Sequence, residues 1–492
     1  MELDARMIGT GGVRTMVARW VLTGEVVLGT ACHLGGESDG PTDMVLLRDA
    51  RTGAPLLPGT SLAGALRSHL ADVLGGYGSQ EPAAIVALFG GAGGDDDGAQ
   101  SPLVVFDSVG ALPEGGAVEV RDGVAIDART GTAEDRKKYD FEALPPGTVF
   151  PLRFELVVTD RKQEPERLSC LATALAGFEA AGGISLGARR SRGLGTVTAR
   201  SWRAQRFDLT SAREWIEWLT SDPRAPIDRA EPSRSTAREA FVLALARSAP
   251  SVKLAVYPDA RVRAVFRVAL KVAGSLLVRS PARTADAPDV VHLSSGGRSV
   301  LPGTSSAGVL RAHAKRIARC VHEGWTDTDA EEKIATIFGP RLEGTRDPSF
   351  KPWASRLRVS EREVTGKTVR VTRIRVDRFT QGVMDGALFD EEPAREGSLE
   401  LFLELRDPRP AELGLLILVL KDLISGRLPV GGGGAVGRGV LKGRATLEVP
   451  TWPRPIVLEP GRPLAPEDLG RIDETIRAFH EAPRARGAEV AR

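Results

Sequence analysis

The sequence has only three cysteines, Cys32, Cys170 and Cys320, spread along 492 residues with no Cys-x-x-Cys pair. That spacing supports neither a disulfide framework nor a zinc knuckle and suits a reducing cytoplasm. Long apolar runs are also missing. The most hydrophobic stretch, residues 413–420, is far shorter than a membrane span, and residues 1–14 hold no apolar run behind a basic cluster, so neither membrane association nor secretion is expected. No Gly-x-x-x-x-Gly-Lys-Ser/Thr run occurs, which leaves an ATPase reading without its lysine and its hydroxyl. A Ser-His-Asp order and a His-Glu-x-x-His pattern are absent too. Charge of one sign is not in excess: 66 basic and 64 acidic residues leave a formal net charge of +2, so any nucleic-acid surface has to be local.

What is plentiful is glycine, 55 residues, and repetition. A chain this long exceeds what one hydrophobic core usually organises. Compared with itself, it reads twice. Leu57-Pro58-Gly59-Thr60-Ser61 recurs as Leu301-Pro302-Gly303-Thr304-Ser305, and each copy continues into Ala-Gly-x-Leu-Arg, ending at Arg67 and Arg311. Ile126-Asp127-x-x-Thr130 is answered by Val376-Asp377-x-x-Thr380, with Glu142 and Glu392 following at equal distance, and residues 187–195 are answered by 431–439. Any one match could be a shared turn or cap; four in the same order indicate duplication.

Each copy opens with an alternating stretch, 17–30 or 265–278, that suits a half-buried strand. The Pro-Gly-Thr-Ser turn then begins a helix, with Thr60 or Ser61 expected to cap it. Leu62, Leu66 and Leu70 recur at helical spacing, as Leu310, Ala314 and Ile317 do in the second copy. Further strands, a second helix, the glycine-rich loop and a last strand follow. Strand, helix, strands, helix, strand is the ferredoxin-like order, so the fold class is α+β with two tandem ferredoxin-like domains. The boundaries read as a first domain over 1–205, a linker with a helical piece over 206–260, a second domain over 261–449 and a Pro-rich C-terminal extension over 450–492.

Chemistry-bearing residues cluster in two kinds of place. Gly187-Ala188-Arg189-Arg190-Ser191-Arg192-Gly193-Leu194-Gly195 joins flexible backbone to three cations, a combination able to bring main-chain N–H groups and guanidinium forks to phosphate. The second copy keeps Gly431, Gly432 and Gly433 but only Arg438, so its electrostatic share is expected to be smaller. The competing reading of either loop alone is a hairpin with solvated charges. The second kind of place is an aspartate before a strand-like run that leads to the Pro-Gly turn: Asp43 in one copy, Asp289 in the other. Such a carboxylate can hold a divalent cation beside a phosphate, or simply cap a turn. Asp127 and Asp377 read as turn formers. Met384, Leu388 and Phe389 could wedge between bases or pack in a core.

Together the Pro-Gly-Thr-Ser-x-Ala-Gly-x-Leu-Arg run, Val376-Asp377-Arg378-Phe379-Thr380 leading to Gly386-Ala387-Leu388-Phe389, and Arg192-Gly193-Leu194-Gly195 resemble the RAMP superfamily, specifically the repeated backbone subunit of type III CRISPR complexes. The resemblance implies a modified RNA-recognition fold with thumb-like hairpins contributed by 127–142 and 377–392. It implies partners as well: CRISPR RNA, single-stranded target RNA and other type III effector subunits. It implies that the loop aspartate serves metal-dependent cleavage of target RNA, which points to Asp43 and Asp289 with a divalent ion, Mg2+ or Mn2+. Ser61 and Arg67, Ser305 and Arg311, and the two glycine loops would hold the guide. The tandem arrangement resembles fused subunits of type III-D variants. Two alternatives stay open: an RNA-binding scaffold that cuts nothing, and a metal-independent guide-processing endonuclease, for which His33 is the candidate acid–base group.

Overall fold

A computed structural model describes residues 16–37, 42–91, 100–127, 130–180, 182–221, 233–282, 287–341 and 350–483. In the first half, Leu103–Val105, Val149–Val158, Ala18–Leu28 and Val197–Asp208 lie side by side in that order, all antiparallel. The second half repeats this with Leu357–Val359, Ser398–Arg406, Arg263–Val272 and Leu441–Glu448. In chain order both are strand, helix, strand, strand, helix, strand, so each copy is an α+β ferredoxin-like unit.

Side-chain alternation explains which face is covered. Along Arg263–Val272, Phe266, Val268 and Leu270 are buried while Arg267, Ala269 and Lys271 face outward. The buried set meets Leu310 and Ala314 of helix Gly303–Val321 and Leu416 and Leu420 of helix Pro410–Ile424. In the first unit Trp20 and Leu22 meet Leu62, Leu66 and Leu70 of helix Gly59–Gly75 and Leu171 and Leu175 of helix Glu164–Glu179. Each such side chain contributes about 1.5–3 kcal/mol of burial.

Three expectations are corrected. Neither Thr60 nor Ser61 caps the first helix: the caps are Pro58 and Pro302, and neither makes a side-chain cap bond. Proline at this place sets the extended backbone that enters the helix, and in the first unit Asp107 Oδ1 accepts the Gly59 N–H at 2.7 Å instead. The presumed linker is largely structured. Strand Val197–Asp208 runs into it, and helix Ala237–Ser248 packs on the first core, with Phe241 edge-on to Trp20 at 5.6 Å between ring centres. Residues 222–232 lie outside the described set. The Pro-rich extension belongs to the second unit: Ile456–Leu458 adds a fifth strand beside Leu441–Glu448, and helix Pro466–His480 buries Ile472 and Phe479. Gly414 permits that packing, because a Cβ there would lie 2.2 Å from the Thr475 carbonyl oxygen.

The units meet through the first glycine loop. A Cβ on Gly193 would lie 2.1 Å from the Glu361 nitrogen, and one on Gly303 would lie 2.1 Å from the Arg192 carbonyl oxygen. Beside this seam Arg121 donates to Glu361 at 2.5 and 3.1 Å and to Glu119 at 3.1 Å, all three residues being buried. Glu119 in turn accepts the Gly296 N–H at 2.7 Å.

Candidate nucleic-acid interface

Between the second and third strands of each unit a long hairpin projects. Its arms are Glu119–Ile126 and Ala133–Ala143 in the first unit and Val371–Val376 and Val383–Glu392 in the second. At the tips Asp127 accepts from the Thr130 N–H at 2.9 Å, and Asp377 from the N–H groups of Phe379 and Thr380 at 2.9 and 2.8 Å. Both are turn formers, and those bonds hold Asp377 below the usual carboxylate range. The second hairpin displays Ile374, Phe379, Met384, Leu388 and Phe389 to solvent, Phe379 at 84% exposure, so core packing does not account for them.

Asp43 and Asp289 stand at equivalent places at the hairpin bases. Each precedes a residue that pairs in parallel with the returning arm: Met44 with Phe141, Val290 with Glu391. Each accepts the N–H of an aspartate in that arm, Asp43 Oδ2 from Asp140 and Asp289 Oδ2 from Asp390, both at 2.9 Å. In the first unit the bond is returned, the Asp43 N–H donating to Asp140 Oδ1 at 2.8 Å. The residue facing Asp140 across the hairpin is another acid, Asp122, paired with Lys138 at 3.2 Å. In the second unit Thr372 takes that facing place. Its hydroxyl and the Arg370 guanidinium bind Asp390 at 2.6 and 2.9 Å and hold its carboxyl below the usual range. The two bases thus differ in arrangement: three aspartates gather in the first, Asp122 paired with Lys138, whereas in the second Asp390 itself is paired with Arg370.

Arg189 brings the glycine loop to the acidic base. Its guanidinium lies 4.7 Å from the Tyr139 ring centre and 4.3 Å from that of Phe141, flanking Asp140, and contacts Met44 Sδ at 3.9 Å. Its φ of 59° is left-handed, a conformation that Gly433 supplies at the equivalent place in the second loop. Arg190 is exposed beside it.

Other candidates are turned inward. The loop amides expected to cradle phosphate bond within the protein: Ala188 N–H to the His33 carbonyl, Gly195 N–H to Ala31, Gly432 N–H to Leu277 and Arg438 N–H to Gly433. Gly187 and Gly431 serve close backbone approach, since a Cβ would lie 2.3 and 2.6 Å from the carbonyl oxygens of His33 and Leu277. Arg192 is caught in the seam between units, where burial and then the charge of Arg311 push it down to about 10. Arg67 stays near the surface, paired with Glu81 at 2.6 and 2.7 Å, while Arg311 binds Glu331 and the Gly339 carbonyl and the buried Arg438 binds Glu391 at 2.7 Å. A carboxylate or carbonyl within reach of a desolvated guanidinium outcompetes a distant phosphate. Ser61 is exposed and Ser305 half-buried at the helix starts. His33 is buried, its Nδ1 2.7 Å from the Glu142 carbonyl oxygen, which places it in support of the hairpin base.

A model of the RAMP superfamily matches residues 8–198 and 274–442, more than half of the chain and once over each unit. The chain belongs to the RAMP superfamily. That membership sets it among CRISPR-associated proteins, whose complexes bind RNA. No curated protein matches it. Among the described residues no helix is long and apolar enough to cross a membrane.

Two features of the RAMP units were given no role from the sequence. Asp140 and Asp390 stand two residues before Glu142 and Glu392, so laying the repeat over itself would have marked them. Gly64 and Gly308 sit exposed in the first helix of each unit, where an added Cβ meets nothing within 4 Å among the described residues. Glycine inside a helix costs about 0.5–1 kcal/mol relative to alanine, and no neighbour in the fold requires it here. As to a metal, no group of three or more His, Cys, Asp or Glu gathers among the described residues. The Asp43 and Asp140 pair still fits Mg2+, which commonly uses one or two carboxylates and completes its shell with water and substrate phosphate.

Proposed function

We propose that the chain is a backbone subunit of a type III CRISPR effector complex, that both units lie along one CRISPR RNA, and that the first unit serves cleavage of the complementary target RNA. The observation that carries this reading is the asymmetry of the hairpin bases: Asp43 and Asp140 side by side under Arg189 in one, Asp390 bound directly by Arg370 in the other. Asp43, with Asp140, would hold the divalent ion; when bound, such an ion polarises the scissile phosphate and steadies the leaving oxygen. Arg189 and Arg190 offer their cations to the RNA backbone, which positions the strand without reading its bases. The exposed apolar side chains of the second hairpin suit insertion between bases. Two such units fused in one chain resemble type III-D subunits.

The test is target cutting by the assembled complex. Asp43→Asn should abolish the cut assigned to the first unit while guide RNA stays bound, and Asp289→Asn should leave cutting nearly intact. Undiminished cleavage by Asp43→Asn would remove the metal role and favour the second reading, a scaffold that places RNA for a nuclease elsewhere. In the second unit Arg370 and Thr372 already occupy the Asp390 carboxylate, which favours that reading for its own half.

A further inference from the structure

Between the two units lies a cleft of about 860 Å³, within the range of small-ligand sites. It is separate from the hairpin bases: neither Asp43 nor any residue of either hairpin lines it, and of the glycine-loop candidates only Arg190 and Gly193 reach it. Its floor is the face of the second sheet opposite the helices, where Phe402 and Arg267 are cross-strand partners, and Trp452 of the C-terminal extension stands in its wall.

Most lining arginines are answered by acids. Arg267 meets Glu448 at 3.2 Å, Arg298 meets Glu363 at 2.9 Å and Arg454 meets Asp468 at 3.0 Å. Three are not: among the described residues no carboxylate lies within ion-pair distance of Arg190, Arg358 or Arg362. Arg358 spends its donors on the Gly182 and Gly183 carbonyls and on Ser185. Arg362 lies 5.7 Å from the Phe402 ring centre, and its Nε–H is buried without an acceptor. A buried donor left unpaired is costly, and desolvation by burial lowers the pKa of Arg358 and Arg362 alike. Cations with no carboxylate in direct contact, in a concave site that also holds Phe402 and Trp452, call for an anion carrying a flat group.

We propose that this cleft binds a nucleotide-sized, phosphate-bearing ligand, with Arg190 from the first unit and Arg362 from the second on its phosphate and Phe402 and Trp452 flanking its base. Contacts from both units make the ligand a clamp on their mutual orientation. The proposal is independent of whether Asp43 cuts RNA. The phosphate could come from a free nucleotide or from an RNA strand, and the probes separate these: adenosine monophosphate by calorimetry and a labelled five-nucleotide RNA by anisotropy, each with the full-length protein.

One or both probes should bind, inorganic phosphate should compete, and rising salt should weaken the complex. Arg190→Gln and Arg362→Gln should each raise Kd about tenfold or more, the loss expected for one charge-assisted bond. Binding of the RNA alone, weakened by Arg362→Gln, assigns the site to a strand, and binding of the monophosphate weakened by the same variant assigns it to a free nucleotide. Arg190 is exposed, so its replacement leaves the fold intact; a melting curve checks Arg362→Gln. Failure of both probes to bind, or unchanged affinity in folded Arg362→Gln, would overturn the proposal.

Discussion

Arginine is used in two opposite ways here, and the difference lies in what else reaches the guanidinium. Arg121, Arg311 and Arg438 have buried or half-buried carboxylates within reach and act as internal ties. Arg189 and Arg190 have none among the described residues: Arg189 is half-buried against Tyr139 and Phe141, and Arg190 is exposed. Histidine is likewise recruited into the structure. His292 is buried, its Nδ1 accepts the Val278 N–H at 3.2 Å and its Nε2 lies 3.1 Å from the Val300 carbonyl oxygen. That pattern requires the neutral ring with its proton on Nε2, and burial pushes the imidazole down to about 4. Its unfolded value is about 6.5, so the unfolded chain binds the extra proton between these two values. Stability from His292 is thus complete above pH 6.5 and lost as pH falls towards 4, at up to about 1.4 kcal/mol per pH unit. Denaturant unfolding at pH 7 and pH 5 should show a smaller drop for His292→Gln than for the parent chain; equal drops would show that the ring titrates normally.

At the scale of elements, what was legible in the sequence is what repeats locally. The Pro-Gly turn, the helix behind it and the two hairpins recur in order, and the equivalence of Asp43 with Asp289 follows once their runs into that turn are compared. The directions of side chains were not legible, because their partners lie far along the chain: Arg121 and Glu361 are 240 residues apart, and Arg192 meets a carbonyl 146 residues on. The helix Ala237–Ser248 was hidden by Pro, Arg and Ser-rich flanks although Ala237, Ala240, Phe241 and Ala244 follow helical spacing. The exposed helix glycines offer a test of element-level design. Gly64→Ala and Gly308→Ala should each stabilise the free chain by about 0.5–1 kcal/mol, since none of the described residues meets the new methyl group. If RNA backbone approaches these helix starts, the same variants should weaken guide binding. A stabilised chain with unchanged RNA affinity would mean that the glycines serve no ligand.

At the scale of the whole molecule, the two units are alike in fold but joined by contacts that only one junction can make. The first unit's loop rests on the second unit's helix start at Gly303, and Arg121 ties Glu119 to Glu361. Taken position for position, Glu361 corresponds to Asp107, which is occupied with the Gly59 N–H, and Arg121 corresponds to Val371. The outer faces therefore lack the means to form the same clamp, and Val436, at the place of Arg192, is left exposed. Removing Arg121 alone leaves the buried Glu361 carboxylate without its donor and Glu119 without its cation, a loss of about 3–5 kcal/mol. Arg121→Met should accordingly split a single calorimetric unfolding transition into two as the units uncouple. Arg121→Met with Glu361→Met should recover most of that coupling, because Glu119 keeps the Gly296 N–H and the Ser295 hydroxyl as donors. One unsplit transition in the single variant would show that loop packing, not charge, holds the units together.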